Sequence, residues 1–287
     1  TDDSDLGTTI DGAWKTIKFA MENITGPATV YIKEGTYREN LPITIPANIT
    51  VRGDGQRNTI VYPNAGDSQE TMFFVNTGDL IEDLMFKGLT GFALDSAGGE
   101  PDNIEKATIG GVYFRLDPNA VITKSPYIKE CSAFSSGGVG ALVDGELNNN
   151  PANNGSMVFH TYTQIHDGGA GFVVRRNGKA EIVSCFTYFC DFGMTSTGGA
   201  KIRALNCNNS YGTYGVMSEG FDSSETPLTG VIRGAQLNYD GNTLSSGEFQ
   251  AGKFITGIAD SGNVTHITKA SNGVITSPNH NLTTGQR

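Results

Sequence analysis

The sequence predicts an all-β chain wound as a right-handed parallel β-helix, a single-stranded solenoid. It places a capping helix in front and a small β-module behind. Three observations predict this: a 22-residue internal repeat, 38 glycines scattered between short apolar runs, and one isolated amphipathic helix ahead of many strand-like segments.

The repeat lies in the middle of the chain. GFVVRRNGKAEIVSCFTYFCDF begins at Gly171, GMTSTGGAKIRALNCNNSYGTY at Gly193, and GVMSEG at Gly215, a step of 22 each time. Cys185 to Cys207 is the same step, and Thr163 lies one step before Cys185. Val183 falls over Leu205, and Ser184 over Asn206. A unit this short cannot bury its own apolar face, so it must stack on a neighbour. Helical repeats run to roughly 33 residues or more, and the leucine-rich pattern is absent. Several short β-runs within one period fit one coil of a β-helix. SPYIKECSAFSSGGVGALVDG ends in the same rhythm, so Gly140–Gly145 matches Gly215–Gly220.

Ahead of the repeat, ATVYIKEG, LPITIP, NITVRGDG, NTIVYP and LIEDLMFKGL are apolar or β-branched runs bounded by Gly, Pro or Asn, and each reads as a short strand. Residues 96–104 and 144–156 read as long loops, because their Gly, Asn-Pro and Asn-Gly content favours turns. In residues 11–24, Trp14, Ile17, Met21 and Ile24 recur at helical spacing and form one apolar face. Thr9 or Asp11 caps its start. A lone helix ahead of a β-stack reads as a lid over unpaired edges. The expected organisation is a cap region over 1–30, the β-helix over 31–235 and a small β-module over 236–287. Both chain ends read as cuts through a longer polypeptide.

Net charge is -10 and the pI is near 4.8. A duplex-binding protein needs a basic stripe, and the only cluster is Arg175, Arg176 and Lys179. The expectation is therefore no nucleic-acid partner. An acidic polysaccharide would need a local basic groove. No run of about 18 apolar residues is available to span a membrane, and the polar start TDDSDLGTT lacks the pattern of a secretory signal. Cys131, Cys185, Cys190 and Cys207 show no C-x-x-C spacing, so they read as buried free thiols, and neither a metal nor a cofactor is expected.

Candidate chemistry is sparse. Coils stack about 4.8 Å apart, close to the roughly 5–5.5 Å carboxyl separation of retaining glycosidases. Acids one repeat apart would suit hydrolysis. Asp167 and Asp191 are the nearest candidates, but they differ by 24 residues rather than 22. Glu181 faces Phe159 and Arg203 at the repeat positions. His160 and His166 near Asp167 read as hydrogen-bonded structural residues. Asn206, Asn208 and Asn209 read as turn residues.

Two resemblances attach to these segments. VYIKEGTYRENLPI, ITVRGDG and TIVYP resemble the opening coils of pectin methylesterases and other pectate-lyase-type β-helices, through the G-x-Y-x-E segment Gly35-Thr36-Tyr37-Arg38-Glu39. Pectin methylesterases carry two aspartates, an arginine and glutamines on adjacent coils, with a D-F-x-F-G motif. Here Cys190-Asp191-Phe192-Gly193 departs from that motif. SPYIKECSAF, GALVDG, TYTQIHDGGAGFVV, AEIVSCFTYFC and NNSYGTYGVMSEG resemble β-helical virion proteins of marine T4-like tailed phages, over most of residues 10–235. SNGVITSPNHNLTTGQR resembles small modules of phage fibre and baseplate chains.

The second resemblance implies a structural or adhesive part of a tailed-phage virion, in the tail, baseplate, neck or fibre, without enzymatic activity. Its implied partners are other virion proteins and a host-surface polysaccharide, and its implied assembly is a homo-oligomer, most simply a trimer. The alternative is a polysaccharide-active tailspike enzyme, a depolymerase or esterase. A carbohydrate-binding module without turnover is the third class.

Overall fold

Each period of the repeat is one coil made of three short strands. In the computed structural model the described residues are 7–90, 110–116, 121–145 and 155–219, with short strand segments after them. After helix α1 (Ile17–Asn23), the first coil holds β1 (Ala28–Ile32), β2 (Gly35–Glu39) and β3 (Ile43–Thr44). The second holds β4 (Ile49–Gly53), β5 (Thr59–Pro63) and β6 (Phe73–Val75). The third holds β7 (Leu80–Glu82), β8 (Met85–Thr90) and β9 (Val112–Arg115).

In the next two coils the first two strands fuse. They are β10 (Tyr127–Ser136) with β11 (Val139–Asp144), and β12 (Met157–Asp167) with β13 (Ala170–Arg175). The sixth coil holds β14 (Lys179–Val183), β15 (Phe186–Tyr188) and β16 (Phe192–Thr197). The seventh holds β17 (Lys201–Leu205), β18 (Asn208–Ser210) and β19 (Tyr214–Glu219). First strands pair in parallel in the order β1-β4-β7-β10-β12-β14-β17, and third strands in the order β3-β6-β9-β11-β13-β16-β19. The chain is a right-handed parallel β-helix.

Inward side chains stack in register. One column runs Val30, Val51, Ile81, Ile128, Phe159, Ile182 and Ala204. Another runs Ile43, Phe73, Val112, Ala141, Phe172, Met194 and Val216. Most of these side chains are fully buried. Such aliphatic and aromatic ladders are the main stabilising term of the stack.

The bend between first and second strands is a single residue at positive φ: Asp83, Glu130, Thr161, Ser184 and Asn206, all between 51° and 59°. Asn206 is thus a turn residue as expected. Asn208 and Asn209 instead lie in β18.

The expected column of Thr163, Cys185 and Cys207 is corrected by one residue. Thr163 pairs with Phe186, and Cys131 with Tyr162, so Tyr162 occupies the position between Cys131 and Cys185. The reason is local. Ile165 to Ala170 is one residue longer than Tyr188 to Phe192, the pairs facing them, because Asp167-Gly168-Gly169 makes a turn closed by Gly169 N donating to His166 O at 2.9 Å.

Helix α1 buries Ile17, Ala20 and Met21 against the stack, and Trp14 and Ile24 pack beside them. Its cap is Thr16, whose Oγ1 accepts from Phe19 N, rather than Thr9 or Asp11. Residues before it are held in a turn closed by Gly7 N donating to Gly12 O, and Thr9 Oγ1 accepts from Gly12 N within that turn. The carboxylate of Glu39 accepts from Ile17 N at 2.7 Å and Lys18 N at 3.1 Å. Two of the helix's orphan donors are thereby satisfied from the first coil. The G-x-Y-x-E segment is therefore a device for seating the cap: Tyr37 Oη donates to Lys33 O, and Glu39 holds the helix.

Contacts divide the chain into two units, Thr1–Phe221 and Asp222–Arg287. In the second, the described residues are antiparallel pairs: Gly230–Val231 with Phe254–Ile255, Gln236–Tyr239 with Leu244–Glu248, and His266–Ile267 with Ile275–Thr276. The loops expected at 96–104 and 144–156 lie almost wholly outside the described residues. No described helix is long and apolar enough to cross a membrane.

Candidate functional site

Three clusters of chemistry-bearing side chains stand out: a polar ladder inside the stack, a buried ion cluster on its third-strand face, and an outward stripe along its second strands.

The inward column of the second strands begins apolar, with Val61, Phe86 and Ala133. It then turns polar at Gln164, Thr187 and Asn209. Glycines make the room. Gly111, Gly140, Gly171, Gly193 and Gly215 lie in one column of the third strands. A Cβ at Gly140 would fall 1.5 Å from Gln164 Oε1, at Gly171 2.5 Å from Thr187 Cγ2, and at Gly193 2.7 Å from Asn209 Cγ. The repeated glycine read from the sequence is therefore an allowance for polar side chains facing it. Thr187 Oγ1 donates to Asn209 Oδ1, and Asn209 Nδ2 donates to Gly215 O at 2.8 Å.

His166 and Ser135 extend this interior network. Ser135 Oγ lies 2.6 Å from His166 Nδ1, and His166 Nε2 lies 3.1 Å from Gln164 Oε1. Since an amide oxygen only accepts, Nε2 carries the proton and Ser135 donates to Nδ1. Burial pushes the His166 pKa down to about 3, which holds the ring neutral. His160, by contrast, sits edge-on to Tyr127 with ring centroids 6.4 Å apart. Burial raises Cys131 and Cys185 to about 12 and Cys190 to about 11, so these three thiols stay protonated.

A second buried titrating group, Asp79, accepts from Asn76 N at 2.6 Å and Ile49 N at 3.1 Å, and burial raises its pKa to about 7. Its neutral form suits the fold, so its contribution is full below its unfolded pKa and is lost as pH rises through about 7. His166 has the opposite sign. Its contribution is present above its unfolded pKa and is lost as pH falls toward about 3.

Between about pH 4 and 6.5 the two slopes, each about 1.4 kcal/mol per pH unit, cancel. We expect His166→Asn to remove one of them. The stability difference between wild type and variant, followed by urea unfolding, should then shrink steadily as pH is lowered from about 6.5 to about 4. Parallel profiles would show that His166 does not titrate on unfolding.

The ion cluster sits at the end of β11. Asp144 is fully buried and pairs in register with Arg115 on one side and Arg175 on the other. Arg175 Nε donates to Asp144 Oδ2 at 2.9 Å, Arg176 Nε to Oδ1 at 2.7 Å, and Arg176 Nη2 also to Oδ2. Tyr113 Oη donates to Oδ2 at 3.3 Å. The pair Arg175–Arg176, seen in the sequence as a small basic cluster, is thus engaged by one carboxylate. The neighbouring outward column on this face, Tyr113, Leu142, Val173 and Thr195, is buried.

The sequence-derived candidates are not brought together. Asp167 is exposed and pairs with Ser136 across the coil. Asp191 lies in the turn before β16, where it accepts from Thr213 Oγ1 at 3.1 Å. Its neighbour one coil back is Gly169, because Ala170 pairs with Phe192. The residue inserted at Asp167-Gly168-Gly169 separates the two acids. Among the described residues no group of His, Cys, Asp and Glu has the makings of a metal site.

The outward stripe follows the second strands. Arg38 pairs with Tyr62, and Lys87, next along that row, pairs with Phe134. Phe134 pairs with Ile165, Ile165 with Tyr188, and Tyr188 with Ser210. Six coil steps make a row about 29 Å long at about 4.8 Å per step. Cations lie over its rings: Arg38 is 5.2 Å from the Tyr62 centroid and Lys87 5.9 Å from that of Phe134, which is 52% exposed. Phe186 and Tyr188 stack beside each other at 6.4 Å. Sequence reading missed this row because its members are separated by unequal steps.

No protein-family model and no curated protein matches the sequence. Several solved structures resemble it. The pectin methylesterase from Aspergillus niger in deglycosylated form is 14% identical, with 78% of this chain and 90% of that one covered and a TM-score of 0.37. The pectin methylesterase from Yersinia enterocolitica is 10% identical, covering 69% and 91%, with a TM-score of 0.36. A pectin methylesterase in complex with a hexasaccharide is 11% identical, covering 69% and 89%, with a TM-score of 0.36. At these values the likeness assigns neither family nor activity, and the parallel β-helix rests on the strand pairings themselves. The expectation that the chain is not an enzyme is withdrawn: the solved structures it resembles are named as pectin methylesterases, and at these values they assign no activity to this chain.

Proposed function

We propose that this chain is a polysaccharide-engaging β-helix that serves as an external part of a tailed-phage particle, in the tail, baseplate, neck or fibre. The observation that carries the glycan reading is the outward row from Tyr62 through Phe134 to Tyr188. Partly open rings attract the C–H faces of sugars, and they recur at every second coil, about 9.6 Å apart, so a linear polymer can lie along them. Arg38 and Lys87 supply the local positive charge that the acidic chain as a whole lacks. The virion setting rests on the resemblance of residues 125–220 to phage β-helical proteins. With it come other virion proteins as partners and a closed side-by-side homotrimer.

The test is binding of the full chain to host-surface polysaccharides on a glycan array. Phe134→Ala and Tyr188→Ala should each weaken capture by about tenfold, on the scale of an aromatic anchor. Absence of any glycan binding, or binding indifferent to both substitutions, would overturn the reading.

A second reading, ester hydrolysis, is favoured by the cluster at Asp144. A carboxylate, two guanidiniums and a phenol from adjacent coils converge there. There the carboxylate would add to the ester carbonyl and expel methanol, its proton supplied by the Tyr113 phenol; water would then cleave the resulting anhydride and return the proton, with the guanidiniums balancing the developing charge. Methanol released from methylated pectin, and lost in Asp144→Asn, would support this reading.

A further inference from the structure

We propose that the outward row ends in a subsite for a single uncharged sugar ring, formed between Tyr211 and Tyr214. This rests on the glycan reading above and adds where the polymer is read and for what chemistry.

Ser210, the last member of the row, also lines a recess of about 60 Å³ open on one side. A water needs roughly 10–15 Å³ of such space, so the recess holds about four to six waters, the scale of one six-membered ring. Its walls are aromatic. Tyr211 stacks on Phe189 with centroids 5.3 Å apart and planes at 17°, and Tyr214 stacks on Phe192 at 5.1 Å and 21°. Both tyrosines are open to solvent, at 79% and 46% exposure, while each is braced from behind by its partner ring. Bracing fixes the rings in advance, so little side-chain entropy is lost when a ligand arrives.

The floor is polar and set in place. Thr187 and Asn209 hold each other, and Asn209 is tied to Gly215 O. The glycine column keeps the space clear. At Gly212 a Cβ would fall 1.8 Å from Cys190 O, so the chain can pass there only without a side chain. Among the described residues neither tyrosine hydroxyl has a hydrogen-bond partner, so both can bond sugar hydroxyls. Among the described residues no Asp, Glu, Lys, Arg or His lines the recess. A uronate or an amino sugar would bring an unpaired charge against this wall, which is costly. A neutral pyranose brings C–H groups for the rings and hydroxyls for Asn209, Ser210 and the tyrosines. Aromatic walls with a few fixed polar groups are the usual make-up of a small-molecule site.

The experiment uses the full chain and two probes, methyl glycosides of neutral hexoses and methyl glucuronoside, with binding read by saturation-transfer NMR. Neutral glycosides should bind more tightly than the uronate. Tyr211→Ala, at a position too exposed to carry the fold, should weaken neutral-ring binding by about tenfold, and Tyr214→Ala should do the same. Phe134→Ala should leave ring binding intact while weakening the polymer. Preference for the uronate, or ring binding indifferent to both tyrosines, would overturn the subsite. Polymer capture that depends on Phe134 with no binding of single rings would overturn the subsite and leave the glycan reading standing. Absence of both polymer and ring binding would overturn both.

Discussion

Gly140→Ala should be among the most damaging single-methyl changes in this chain. The added carbon would lie 1.5 Å from Gln164 Oε1 and 2.5 Å from His166 Nε2, and both of those side chains are buried. Gly140 has no positive φ, so the penalty is one of space rather than of backbone conformation. Forcing a methyl into a filled core costs about 1–3 kcal/mol. Here Gln164 must also withdraw from His166, which leaves a buried ring donor unsatisfied at a further cost of about 1–3 kcal/mol.

Gly215, in the same column, is the control: its Cβ would meet nothing nearer than Asn209 Cβ at 3.7 Å. We expect thermal unfolding to show a large loss for Gly140→Ala and little change for Gly215→Ala. Gln164→Ala added to Gly140→Ala should recover part of the loss, as coupled neighbours do. Equal effects at the two glycines would refute the idea that the column exists to seat the polar ladder.

This column also marks how far the sequence could be read. The 22-residue step was legible from Gly171 to Gly215 because those coils turn with the same number of residues. Earlier coils vary. Ala28 faces Ile49 and Thr50 faces Leu80, but Leu80 faces Tyr127 and Tyr127 faces Val158, so the steps run from 21 to 47 residues. Turns of unequal length hide periodicity without disturbing the stack, because the ladder hydrogen bonds fix only the strands.

The fold class was therefore readable from two well-behaved coils, and the cap from the spacing of Trp14, Ile17 and Met21. Clusters built across unequal steps were not. Asp144 meets Arg175 over 31 residues, and Ser135 meets His166 over the same separation. The glycines were visible as a repeat. Their reason was not, since the side chains they accommodate belong to a different strand. Asp167 and Asp191 failed as a pair for the same cause, one residue gained in the turn at Gly168.

Asp144→Ala should be the other large loss. The carboxylate is fully buried and Arg175 is nearly so, at 6% exposure. Removing one member of a buried pair leaves the other charged and desolvated, which costs about 3–5 kcal/mol. Asp144→Asn keeps an acceptor for the guanidiniums and should cost less. Replacing Asp144 and Arg175 together with Leu and Met should recover much of the loss, because buried pairs are often matched by well-packed apolar residues. Urea unfolding at low and high salt checks the origin, since a buried pair is little screened by salt.

A loss in Asp144→Ala below about 1 kcal/mol, the range of an exposed pair, would mean that the cluster is not stabilising as described. The same variants also separate structure from chemistry. If Asp144 only holds three coils together, the apolar double variant remains folded and keeps whatever activity on methylated pectin the chain has. If Asp144 is also the attacking carboxylate, that activity disappears in Asp144→Asn while the fold, judged by the unfolding midpoint, is largely retained.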